Sequence, residues 1–213
     1  MHVHAVSMPT VAVFDFDGTI TRGDSMGPFL VASVPLPRLL PAMAKLSPRM
    51  VAYAFRIEPN WRLKQAVLKA AFGGTPLTVF ERLASQFASG RLPSMVRPGA
   101  LSRLRWHQGM GHRVVIATAS LEAYVRPWAV SQGVADVVGT RLEEEGNRLT
   151  GRIAGLNCYG AEKVARLEAL ITDLHRSTVY VYGDSRGDKE MLDLARYAAY
   201  RPFRARQPAG GTS

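Results

Sequence analysis

Val11-Ala12-Val13-Phe14-Asp15-Phe16-Asp17-Gly18-Thr19 is an apolar run of strand character that ends by presenting two aspartates two residues apart. Burying either carboxylate without a compensating charge is very costly, so the segment asks for a cation. Glycine and threonine directly after the pair let the backbone turn tightly and approach a ligand. A solvated turn ahead of a helix is the plain alternative, and the rest of the chain must decide between them.

Working outward, three more strand-like runs follow at Arg113–Ala117, Val137–Gly139 and Thr178–Tyr182, each alternating with helical patterns. That alternation predicts an α/β fold, a Rossmann-like parallel sheet flanked by helices. Leu121, Tyr124, Val125, Trp128 and Ala129 repeat at helical spacing after the second run, although Pro127 strains or kinks that helix. Val164, Leu167, Leu170 and Ile171 mark a helix after Gly160, and Met191, Leu192 and Ala195 another after Gly187. Gly146-Asn147, between Leu142 and Leu149, predicts a small hairpin.

From Asp24 to Pro98 the rhythm changes to purely helical patterns, which reads as an inserted helical cap. Leu39, Met43, Leu46 and Met50 suggest one helix, whose length Pro41 and Pro48 should limit. Asn60 caps a second helix, carrying Leu63, Val67, Ala70 and Ala71, and Thr75-Pro76 starts a third with Leu77, Phe80, Leu83 and Phe87. The expected organisation is an α/β core over 8–23 and 99–203, a cap over 24–98 and a disordered basic tail over 204–213.

The chain has 213 residues, 47% hydrophobic and 21% charged, which suits a folded domain and not a disordered one. Cys158 is its only cysteine, so an internal disulfide is impossible and a cysteine zinc site is excluded; the thiol reads as packing in a reducing compartment. The five histidines lack ligand spacing and read as surface or packing residues. Neither a signal peptide nor a transmembrane helix is expected, because the longest uncharged, mostly apolar run, Met26–Leu36, is short and contains Pro28 and Pro35. A cytoplasmic protein is the expectation, with the inner membrane face as a possible station.

Formal net charge is +10, and setting aside Asp15, Asp17, Asp184 and Asp188 leaves an excess of 14 positive charges. Such an excess attracts phosphorylated substrates or an anionic membrane surface. No compact Lys/Arg run with interleaved aromatics is present, so nucleic acid is not an expected partner.

The second strand run delivers Thr118-Ala119-Ser120 to the start of a helix, a receptive place for a phosphate oxygen, with Ser120 also serving as a plain N-cap. The last run delivers Gly183-Asp184-Ser185-Arg186-Gly187-Asp188. Ligands of open α/β sheets bind at the carboxyl ends of strands, so Asp15, Asp17, Thr118, Asp184 and Asp188 converge on one crevice. Oxygen-only ligands of this kind point to Mg²⁺. Lys163, near the start of its helix, reaches the same crevice or is an ordinary surface lysine.

In this order the motifs resemble those of the haloacid dehalogenase superfamily of phosphatases. Asp15-Phe16-Asp17-Gly18-Thr19 resembles the first motif, Thr118 the second, Lys163 the third, and Gly183-Asp184 to Asp188 the fourth. The insertion resembles the C1-type cap of the phosphoserine-phosphatase-like branch, subfamily IB. Asn157 to Glu168 is also similar to bacterial phosphatidylglycerophosphatase C-type members.

The resemblance implies a Mg²⁺-dependent phosphatase with Asp15 as nucleophile and Asp17 as general acid and base. It implies a cation held by Asp15, the Asp17 carbonyl and Asp184, with Asp188 orienting a metal-bound water or Lys163. Phosphate contacts fall to Thr118, Lys163 and the segments at Gly18 and Ala119. Asp24 and Ala119-Ser120 depart from the glutamate and glycine pair usual in phosphoserine phosphatases.

The substrate stays open between a small phosphoserine-like metabolite and a lipid phosphate at a membrane. Phosphotransfer to an alcohol and an inactive binding protein are further alternatives. From the cap, Asp24, Arg62 and Lys64 are candidate substrate contacts, the two bases being solvated helix residues otherwise.

Overall fold

The computed structural model describes residues 8–55 and 60–204. Its central strand is β1 (Thr10–Phe14), which pairs in parallel with β2 (Arg113–Leu121) on one side and β6 (Thr178–Gly183) on the other. Outside these lie β3 (Asp136–Thr140) and β7 (Tyr197–Tyr200), giving a five-stranded parallel sheet in the order β3-β2-β1-β6-β7. β7 is not among the strands expected from sequence; it is a short edge strand with three of its four residues exposed, so no buried alternation announces it.

Alternation sends Val11, Val13, Val115, Val179 and Val181 to one face, under α7 (Ala161–Leu170) and α8 (Lys189–Asp193). Ala12, Phe14, Val114, Ile116 and Tyr182 point to the other, covered by α5 (Pro98–Gly109) and α6 (Glu122–Ser131). β4 (Leu142–Glu145) and β5 (Arg148–Ile153) form the expected hairpin. Its turn residues Gly146 and Asn147 both take positive φ, 54° and 63°, as a two-residue type I′ turn requires.

Between β1 and α5 the chain forms α1 (Met26–Ser33), α2 (Leu36–Ala54), α3 (Asn60–Phe72) and α4 (Leu77–Ser89). The apolar sides of α1, α3 and α4 meet in an aromatic cluster. The ring of Phe29 lies 5.5 Å from Phe72, 5.3 Å from Phe87 and 4.8 Å from Tyr124 of α6, so the insertion and the sheet share one core.

α2 runs through Pro41 and Pro48, contrary to the expectation that they limit its length. Both prolines lie on the exposed side of the helix. Behind Pro48, the Ala44 carbonyl accepts instead from the Ser47 hydroxyl at 2.8 Å. α6 likewise continues through Pro127.

Residues 205–213 of the expected tail lie outside the described residues. Arg204, assigned to that tail by sequence, is held by Asp184 instead. Among the described residues, no helix is long and apolar enough to cross a membrane.

Candidate active site

Asp15 follows β1 directly, and its amide donates to the Tyr182 carbonyl of β6, which ties the first motif to the strand that presents Asp184. The chain then makes a single turn over Phe16–Ile20, with Gly18 at φ +81°. A Cβ at Gly18 would collide with the Asp184 carboxylate. Glycine there therefore lets the two carboxylate-bearing loops approach.

Three carboxylates, those of Asp15, Asp184 and Asp188, each place an oxygen within 4.8 Å of the others, and all three residues are buried. Lys163, only 2% exposed, extends from α7 between two of them. Its Nζ donates to Asp15 Oδ1 at 2.5 Å and to Asp188 Oδ1 at 2.6 Å. Asp188 Oδ2 accepts from the backbone amides of Asp184 and Ser185 at 3.1 and 2.9 Å, and from the Ser185 hydroxyl at 2.9 Å. Burial disfavours the charged Asp188, but Lys163 and these donors outweigh it and hold the carboxyl below its ordinary range.

Burial pushes the Asp15 carboxyl up to about 7, against the pull of Lys163. Burial alone would lower the Lys163 ammonium; Asp15 and Asp188 reverse this and keep it protonated.

Asp184 differs. Its Oδ2 accepts from Arg204 Nη2 at 2.6 Å, whereas Oδ1 is buried with no hydrogen-bond partner among the described residues. An orphaned carboxylate oxygen beside two other carboxylates, a set of oxygen ligands only, suits a hard divalent cation such as Mg²⁺.

The Asp17 carboxylate is turned to a different set of partners. Oδ1 accepts from the Ser25 amide at 3.1 Å and the Thr21 hydroxyl at 3.4 Å, and Oδ2 accepts from the Ser120 hydroxyl. Burial raises it to about 6, the hydrogen bonds from Ser120 and Ser25 opposing.

This corrects the reading of Ser120 as a helix cap: α6 starts at Glu122 with Leu121 before it, and β2 runs four residues further than expected. Pairing with β3 is irregular between Ala117 and Leu121. The lengthened strand end places Thr118 buried, its Oγ1 accepting from the Ser120 amide at 2.9 Å.

Lys64, read from sequence as either a substrate contact or a solvated residue, is buried. From α3 its Nζ donates to the Ala119 carbonyl, to Asn157 Oδ1 at 2.7 Å and to Thr140 Oγ1 at 3.4 Å. Burial lowers its ammonium to about 8, partly offset by Asp17. Arg62 is exposed and lies over the Trp61 ring at 5.3 Å, on the outside of the insertion. Asp24 accepts from the amides of Met26 and Gly27, both at 3.2 Å, and so caps α1.

Several partners had no role in the sequence reading. Ser25 Oγ lies 2.9 Å from the Tyr124 hydroxyl and 3.3 Å from Ser120 Oγ. Asn157 and Thr140 meet Lys64, and Thr140 also donates to the Ala119 carbonyl at 2.7 Å. Cys158 is buried packing, as expected.

The model of the haloacid dehalogenase-like hydrolases matches residues 12–193, a span that includes every carboxylate of the site. The chain belongs to the haloacid dehalogenase-like hydrolase family. Protein CicA of Caulobacter vibrioides strain NA1000 is 36% identical to this family member over 199 residues, covering 93% of this chain and 88% of CicA.

Among solved structures, a Bordetella pertussis Tohama I protein of unknown function superposes with a TM-score of 0.71 at 21% identity, over 88% of this chain and 87% of that one. A phosphoserine phosphatase carrying a phospho-aspartyl intermediate analogue gives 0.56 at 16% identity, over 89% of this chain and 84% of that one. These likenesses establish the haloacid dehalogenase-like fold.

Proposed function

We propose that this hydrolase cleaves phosphomonoesters through Asp15, with a small phosphoserine-like metabolite as substrate. One observation carries the reading: Lys163 bridges Asp15 and Asp188 while Asp184 keeps a buried oxygen without a partner among the described residues. A Mg²⁺ ion held by Asp15, the Asp17 carbonyl and Asp184 would neutralise charge on the phosphate.

The Asp15 carboxylate attacks phosphorus, forming an acyl phosphate as the ester P–O bond breaks. Asp17, whose raised affinity for a proton suits the task, gives that proton to the departing oxygen. It then takes a proton from water as the water attacks the acyl phosphate, releasing inorganic phosphate and restoring Asp15. Lys163 balances negative charge throughout, Thr118 hydrogen-bonds a phosphate oxygen, and the backbone at Gly18 and Ala119 lines the phosphate position. Asp188 fixes Lys163, and Lys64 tethers the insertion beside Ala119.

A phosphate-release screen over amino-acid, sugar, nucleotide and lipid phosphates, with and without EDTA and added Mg²⁺, tests this. Turnover that survives chelation would contradict the proposed site.

A second reading, a lipid phosphate taken at an anionic membrane surface, is favoured by the insertion's surface. Besides the buried Lys64, Ser25–Phe80 carries six Lys/Arg against one Asp/Glu. Leu36, Leu40, Val51 and Phe55, all more than half exposed, recur at helical spacing along α2 and just past its end. Such a face suits an interfacial helix. A cavity of about 850 Å³ lined by Trp61, Ile153, Leu156 and Tyr159 also opens beside Asn157. Flotation with phosphatidylglycerol-containing vesicles tests this reading; absence of binding at low salt would overturn it.

A further inference from the structure

After β7 the chain turns back across the carboxyl end of β6 and is fastened there at three successive points. The Arg201 amide donates to the Gly183 carbonyl at 2.7 Å, and Arg201 Nε donates to the Asp184 carbonyl at 3.0 Å. The Phe203 ring stacks on Tyr182 at 5.5 Å and on Phe14 at 6.4 Å, the two residues that immediately precede Gly183-Asp184 and Asp15. Arg204 then closes on Asp184 Oδ2 at 2.6 Å. Strand ends that carry two of the site's carboxylates are thus gripped by one short segment.

The two oxygens of Asp184 are consequently unlike. Oδ2 is occupied by a guanidinium, and Oδ1, buried, accepts from nothing among the described residues. A carboxylate held by one oxygen cannot rotate freely, so the other is presented in a fixed direction. Partners of this kind behind a ligand set both its orientation and its affinity for a metal.

We propose that the Arg201–Arg204 segment is a positioning strap, in which Arg204 holds Asp184 Oδ2 so that Oδ1 is presented to a divalent cation. The proposal rests on Asp184 being a ligand, as in the reading above. Arg204 is a positioning residue and touches neither substrate nor the reacting atoms.

Isothermal titration of the full chain with Mg²⁺ measures this without turnover. Arg204→Ala is expected to weaken binding roughly 10- to 100-fold, the range found when such supporting partners are removed. Arg204→Lys, which keeps a cationic donor, is expected to recover part of the loss. Cooperative thermal unfolding of the metal-free variants is expected to show that they are folded, with Arg204→Ala melting below wild type because Asp184 loses its counter-charge. If Arg204→Ala fails to fold, Arg204→Gln takes its place in the titration.

Mg²⁺ affinity in the variant equal to or tighter than wild type would overturn the strap, because a guanidinium that merely occupied the site would compete with the ion. Wild-type protein that binds Mg²⁺ yet releases phosphate from no ester would overturn the catalytic reading and leave the strap standing.

Discussion

Lys163 Nζ lies 2.5 Å from Asp15 Oδ1, although 148 residues separate them in sequence. The pair is fully enclosed, and Asp188 shares the ammonium from the other side at 2.6 Å. Local backbone geometry does not bring these groups together; the sheet does, by placing β1 and β6 side by side under α7.

Lys163→Met should therefore destabilise the metal-free protein, because it leaves Asp15 and Asp188 buried with no counter-charge. Breaking a buried pair in this way costs about 3–5 kcal/mol, to be read by urea unfolding at neutral pH. Acidification neutralises the two stranded carboxylates, so the gap from wild type should narrow as pH falls.

Gly18→Ala should abolish most Mg²⁺-dependent turnover. The added methyl collides with the Asp184 carboxylate at a backbone angle, φ +81°, that alanine resists. Displacing reacting groups by about 1 Å can cost on the order of 100-fold in rate, which steady-state kinetics on an aryl phosphate would show.

Lys64→Met keeps the length of the side chain and removes the donor that joins Ala119, Thr140 and Asn157. The single Thr140 hydroxyl hydrogen can serve only one of Ala119 and Asn157, so one acceptor is left without a donor, which should lower stability by about 1–3 kcal/mol. A drop in kcat/KM should accompany it, since Ala119 adjoins Thr118. A variant with wild-type stability and kinetics would show that Lys64 is not the tether.

How much of this was legible beforehand depended on whether a feature repeats or is made by contact. β1, β2 and β6 are apolar runs that end in polar, site-forming residues, so both their existence and the residues they present could be read. The hairpin turn was legible because Gly146-Asn147 is chemically specific to it. β7 was not, since Tyr197-Ala198-Ala199-Tyr200 has no buried face to pattern. α2 was underestimated because proline was judged without knowing which side of the helix it would occupy. Ser25 and Ser120 around Asp17, and Asn157 and Thr140 around Lys64, join residues from separate elements. No spacing rule encodes them.

His107 gives the fold an acid-sensitive point. It is fully buried, with Nε2 2.9 Å from the Tyr182 hydroxyl and Nδ1 2.8 Å from Nδ1 of His112. Burial, His112 and Arg103 together push its imidazole down to about 4 from an ordinary 6.5. Between those values the unfolded chain binds more protons than the folded one, so stability present above pH 6.5 is lost progressively as pH falls toward 4. His107→Gln should flatten this part of the curve of melting temperature against pH. An unchanged slope would assign the acid loss to other groups.

The nucleophilic role of Asp15 is the central claim, and Asp15→Asn tests it most directly. Asparagine preserves the size of the side chain and removes the attacking carboxylate. With Mg²⁺ and a substrate that wild type hydrolyses, turnover should fall by about 1,000-fold or more, in line with loss of a catalytic nucleophile, while thermal unfolding confirms that the protein is still folded. A folded Asp15→Asn protein whose kcat stays within tenfold of wild type would contradict the account.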